Sequence, residues 1–73
     1  MKSVKQVVFE LTNNEKLQII SEFEQFEQNG YIGECLLREV ASNCQGSAQL
    51  VSIFMNLVAF EVYRSLYYSQ KMN

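Results

Sequence analysis

The residues best suited to chemistry in this chain are its carboxylates. All eight acidic residues are glutamate, and Glu22, Glu24, Glu27 and Glu34 lie close together in the sequence. Two carboxylates in unlike surroundings can divide the roles of general acid and general base. That work needs a cation, a metal or a nucleophile beside them, and none stands at a matching spacing. Histidine is absent, which excludes the zinc sets that contain it. Cys35 and Cys44 are the only cysteines, too few for a four-thiolate site. There is no glycine-rich phosphate loop and no nucleophile–base pair. The glutamates therefore predict a solvated face, and the chain is expected to be neither an enzyme nor the holder of a cofactor or metal.

Two other groups point to contact rather than to catalysis. Glu61 and Arg64 fall inside an otherwise apolar helical arc. Three residues apart, they can pair with each other, or each with the other's copy across a twofold axis. A partnered charge in such a place can fix the register of an assembly. Tyr63 and Tyr67, four apart, lie on the more polar side of the same helix with Asn56. Tyrosine combines a large contact area with a polar tip and is enriched at recognition surfaces. Tyr63, Tyr67 and Asn56 are thus the candidate patch for a different protein.

The elements that position these residues follow from periodicity and punctuation. Asn29-Gly30 and the stretch 43–47 containing Gly46 divide the chain into three helical segments behind an N-terminal arm. Thr12-Asn13-Asn14-Glu15 has the form of a capping box and opens the first helix, which runs to about Gln28. Leu17, Ile20, Phe23 and Phe26 form its inner stripe with Ile19 beside them, and Gly30 is suited to end it. The second helix covers Ile32 to Asn43, with Ile32, Leu36, Val40 and Leu37, Ala41, Cys44 as adjacent stripes. The third spans Ser47 to Gln70, with Ser47 as its cap. In the arm, 3–11, Val7, Phe9 and Leu11 alternate as in a strand, while Val4, Val7, Val8 and Leu11 fit a helix. Its β-branched content favours the extended form.

The third helix carries the strongest signal. Its apolar side chains cover roughly 240° of its circumference, where a surface helix needs a stripe only somewhat wider than about 100°. A 73-residue chain buries only about 60% of its unfolded surface, so the excess calls for a second copy or a partner. A homodimer or higher homo-oligomer is expected, built on Leu50, Phe54, Leu57, Val58, Glu61, Val62 and Arg64.

Charge and hydropathy narrow the classes further. The net charge is −2, and the six Lys and Arg are scattered. Nucleic-acid affinity rests mainly on clustered cations, so DNA or RNA binding is disfavoured. The first two helices could form a helix-turn-helix, but the second would present Glu34, Arg38, Glu39, Ser42 and Asn43, a nearly balanced set. The longest apolar stretch, Leu50 to Phe60, is broken by Ser52 and Asn56 and is too short to span a bilayer. Met1-Lys2 leads into a mixed segment rather than a signal peptide. A cytoplasmic protein with reduced cysteines is expected. On one helix Cys35 and Cys44 would stand about 13 Å apart, too far to bridge.

The segments Val7-Val8-Phe9-Glu10-Leu11-Thr12, Phe23-Glu24-Gln25-Phe26-Glu27, Ile32-Gly33-Glu34-Cys35-Leu36-Leu37-Arg38 and Phe60-Glu61-Val62-Tyr63-Arg64 resemble those of small early proteins of lambdoid bacteriophages. These are encoded between the exonuclease and excisionase genes, the exo-xis region. The resemblance implies a compact helical protein of a group associated with lytic development and with disturbance of the host cell cycle or replication. It implies no catalytic residue. The expectation is a single all-α, or nearly all-α, domain over residues 1–73. A helical hairpin packs on a long C-terminal helix, behind a short arm that is strand or helix. It is expected to act by contact with a host or phage protein, or alternatively as a small nucleic-acid-binding or transcription-modulating protein.

Overall fold

The structure, a computed structural model, describes residues 2–30, 33–44 and 50–71, with side-chain environments through residue 68. Four helices make it up: α1 (Val4–Phe9), α2 (Asn13–Asn29), α3 (Leu36–Cys44) and α4 (Val51–Lys71). No strand occurs among the described residues. The fold is all-α, with α4 as the element on which the other three pack.

The arm is helical. Ser3 caps α1, its hydroxyl accepting from the Gln6 amide at 3.1 Å. Val7 and Val8 are buried, and Val4 and Leu11 pack beside them. Phe9 is 86% exposed, where strand alternation would have placed it beside Val7. A lone strand leaves its ladder groups unpaired. A helix satisfies them locally, and the modest helical penalty of valine is outweighed by burial of two side chains against α3 and α4.

The capping box of α2 is present. The Thr12 hydroxyl accepts from the Glu15 amide at 3.1 Å, and the Glu15 carboxylate accepts from the Thr12 amide at 2.8 Å. At the far end the Gly30 amide donates to the Phe26 carbonyl at 2.8 Å. Gly30 has φ 80° and ψ −142°, a positive φ that side chains other than glycine's rarely adopt. Ile19 and Phe23 are the buried residues of α2, with Ile20 and Phe26 half-buried. Leu17, expected in the stripe, points away from the core and is 58% exposed. The reason is geometric: Ile19 leads the inward face, and Leu17 lies most of a half-turn from it.

The second helix starts later than its periodicity suggests, at Leu36 rather than Ile32, which lies outside the described residues. Cys35 therefore precedes α3, and the two cysteines do not share a helix. Leu37, Val40, Ala41 and Cys44 are buried on it. The third helix begins at Val51; the proposed cap Ser47 lies outside the described residues. Val51, Met55, Val58, Ala59 and Val62 are buried on α4, the spacing of one helical face. The molecule is 16 Å across its thinnest direction. At an interaxial spacing of about 8–10 Å, that is two helix layers and no third. One layer is α4, and among the described residues no helix covers its far side.

Candidate interaction surface

The wide apolar arc of α4 resolves into two faces. The inward face forms the core with Ile19, Phe23 and Leu37. The outward face carries Leu50, Ile53, Leu57, Phe60 and Tyr67, all exposed, with Arg64 among them. The two faces lie on opposite sides of the helix. One helix thus serves the chain's own core with one side and presents large apolar side chains to solvent with the other.

The expected self-association residues divide between these faces. Leu50, Leu57 and Arg64 are outward. Phe54 and Glu61 are half-buried at the border. Val58 and Val62 are 0% exposed and have no surface to offer a second copy, because both are spent on packing within the chain. Ile53 and Phe60, more exposed than either, stand on the outward face instead.

Glu61 and Arg64 pair within the chain. Arg64 Nε and Nη2 donate to the two Glu61 carboxylate oxygens at 3.2 and 3.0 Å, a bidentate arrangement. The Arg64 guanidinium also lies over the Tyr68 ring, 5.7 Å from its centroid, within cation–π range. Those hydrogen bonds first, then the carboxylate's charge, push the Arg64 pKa up and keep it cationic. The outward face thus contains a charge that is already compensated by its own neighbour.

The tyrosines stand where α2 meets the outward face. Phe60 makes an edge contact with Phe23 of α2, ring centroids 6.3 Å apart. Lys16 Nζ donates to Ser65 Oγ at 2.8 Å, so α2 runs back along α4 in the opposite sense. Desolvation first, then the nearby Glu24 and Glu27 carboxylates, pushes the Tyr63 phenol up. Tyr63 and Tyr67 are both exposed, and Tyr67 packs edge-on against Tyr68 at 5.7 Å. Asn56 is half-buried and donates to the Ser52 carbonyl at 2.9 Å. This hydrogen bond uses one of its two amide N–H donors within the helix.

One glutamate does work that the sequence did not disclose. Glu22, expected on the wet face, is half-buried and reaches from α2 to the start of α3. Its carboxylate accepts from the Leu36 amide at 3.3 Å and the Leu37 amide at 2.8 Å, and from the Gln18 side chain at 3.0 Å. The Cys35 thiol accepts from the next amide, Arg38, at 3.4 Å. The first three helical N–H groups of α3, which have no partner within a helix, are thereby all satisfied by side chains. Glu22 acts through tertiary structure, and a separation of 14 residues from Leu36 gives no local signature. Cys44 is buried, with its thiol donating to the Val40 carbonyl at 3.5 Å, and burial pushes its pKa up.

Among the described residues, no three of His, Cys, Asp and Glu are grouped to hold a metal. No described helix is long and apolar enough to cross a membrane. A cavity of ≈ 470 Å³ beside α1 is lined by Lys2, Gln6, Val7, Glu10 and Asn43, and Lys2 and Glu10 form an exposed ion pair there at 2.7 Å. The proposed reading helix α3 keeps Leu37, Val40, Ala41 and Cys44 in the core and leaves Glu39, Ser42 and Asn43 exposed with Arg38 half-buried, a surface on which one cation and one carboxylate balance. No family model, curated protein or solved structure matches the chain.

Proposed function

We propose that this protein is a non-enzymatic regulator that acts by protein–protein contact through the outward face of α4, and that it self-associates through that face. The observation that carries the reading is the row of large apolar side chains on the side of α4 opposite the core, with Ile53 56% and Phe60 63% exposed. A small monomer gains nothing in folding from such a row, and contiguous exposed apolar surface marks interaction sites. The resemblance to lambdoid phage early proteins places the action, within this proposal, in phage development or in control of the host cell cycle or replication. Tyr63 and Tyr67, at the α2 edge of the face, are the contacts for a host or phage protein, which competes there with a second copy of the chain.

The test is capture of partners by a tagged chain in a bacterial host, beside a Tyr63→Ala/Tyr67→Ala variant. Both side chains are exposed, so the variant keeps its helical circular dichroism. Loss of a specific captured protein in the variant supports the reading. Capture that is indifferent to both tyrosines and to Leu57→Asp overturns it. Recovery of nucleic acid, with an affinity that falls steeply with salt, favours nucleic-acid binding instead.

A further inference from the structure

The outward residues of α4 are spaced as a seam. Leu50, Ile53, Leu57, Phe60, Arg64 and Tyr67 succeed one another at intervals of three, four, three, four and three. That is the a/d pattern by which one helix packs lengthwise on another. Every one of them is exposed, and the buried residues of α4 occupy the intervening positions. The seam is therefore open to solvent along its length, with Phe60 touching Phe23 of the core at its α2 edge.

Its area matches a particular occupant. With about 200 Å² for a large side chain, the exposed fractions of the apolar seam residues and the flanking Tyr63 and Tyr68 amount to about 700 Å². A standard interface takes about 800 Å² from each partner. The seam and its two flanking tyrosines thus supply most of what one partner gives to a standard interface, and neighbouring surface supplies the rest. Among the described residues no helix covers the outward face of α4, and a second α4 would cover it.

The distribution of residue types along the seam selects the second copy and its direction. The N-terminal half is aliphatic, Leu50, Ile53 and Leu57. The C-terminal half is larger and bears the charge, Phe60, Arg64 and Tyr67. A parallel twofold pairing sets each residue against itself, which brings Arg64 against Arg64 of the second copy and leaves small facing small. An antiparallel pairing sets each aliphatic residue against a large one, the alternation that fills an interhelical layer. Leu57 then faces Phe60, Ile53 faces Arg64 and Leu50 faces Tyr67 of the second copy. The two guanidiniums no longer share a layer, since positions 53 and 64 are about 16 Å apart along a helix. Each Arg64 lays its methylene stem over an isoleucine while its head stays on its own Glu61.

We propose that two copies pair antiparallel through the outward faces of their α4 helices, with Leu57 packed against Phe60 of the second copy on either side of the twofold axis. The proposal rests on the reading of that face as a contact surface, and the experiment separates the two. In a Cys35→Ser/Cys44→Ala background, Ile53→Cys and Arg64→Cys chains are made singly, and light scattering gives the mass of the background chain. We expect twice the 8.5 kDa of one chain, and an interchain disulfide when the two variants are mixed that neither forms alone. Leu50→Cys with Tyr67→Cys provides an independent pair should Arg64→Cys disturb the helix. A dimer in which each variant cross-links to itself is parallel and overturns the proposal, leaving the contact reading intact. A dimer that cross-links in no combination does not use this seam and overturns it too. A monomer that still captures a partner in a Tyr63- and Tyr67-dependent way overturns the self-pairing alone.

Discussion

Removal of the Glu22 carboxylate should loosen the start of α3 without touching the core. In Glu22→Ala, the Leu36 and Leu37 amides lose their acceptors, and no other described side chain accepts from them. Loss of a helix-capping acceptor costs about 0.5–2 kcal/mol, and hydrogen bonds to a charged group are worth about 1.5–3 kcal/mol. Half-burial of Glu22 lets water replace part of this, so about 1–2 kcal/mol is expected. For a domain of this size about 4–8 °C of Tm accompanies each kcal/mol, which gives a fall of roughly 5–15 °C. Glu22→Gln keeps an acceptor oxygen and should lose about half as much. Glu24→Ala, on the exposed face, serves as the control and should change Tm little. The assay is thermal unfolding followed by circular dichroism at fixed protein concentration, since self-association makes Tm concentration-dependent. Amide exchange at Leu36 and Leu37 gives the local readout. A Tm for Glu22→Ala equal to that of Glu24→Ala, with exchange at those amides unchanged, would refute the capping role.

Further outcomes follow from the same structure. Thr12→Ala removes half of the α2 capping box and should cost about 1 kcal/mol, read from the urea midpoint. Leu37→Ala opens a cavity at a fully buried site and should cost about 2–5 kcal/mol, whereas Leu57→Ala, at a position 44% exposed, should leave the monomer's own stability nearly unchanged and act on assembly mass. Alkylation followed by mass spectrometry should label half-buried Cys35 before buried Cys44, since reactivity follows thiolate access. Because folding raises the Cys44 thiol above its ordinary value of 9.0, the native state holds that proton longer than the unfolded chain. Stability should therefore decline as pH rises past 9.0, and Cys44→Ala should make that decline shallower.

The parts of the fold legible in the sequence are those fixed locally. The Thr12 to Glu15 capping box, the glycine at the end of α2 and the apolar periodicity of α3 each act within a few residues, so their spacing announces them. The arm was ambiguous because Val4, Val7, Val8 and Leu11 satisfy both periods. Burial of Val7 and Val8 against α3 and α4 decides it, and that contact is tertiary. The excess apolar arc of α4 was visible, but its division into two faces was not. Only the placement of α1, α2 and α3 along one side determines that Val58 and Val62 serve the core while Ile53 and Phe60 face out. Glu22 carries no local sign of its role because its partners, the Leu36 and Leu37 amides, are backbone groups distant in sequence.

The dependence of three helices on one has a consequence for synthesis. α4 is translated after α1, α2 and α3, yet it supplies Val51, Met55, Val58, Ala59 and Val62 to the surface on which they pack. Until α4 leaves the ribosome, Val7, Val8, Ile19, Phe23 and Leu37 have no floor, and the nascent chain shows them to chaperones and proteases. A premature stop within α4 should yield a rapidly degraded chain, whereas tags are best placed at the N-terminus, ahead of Ser3.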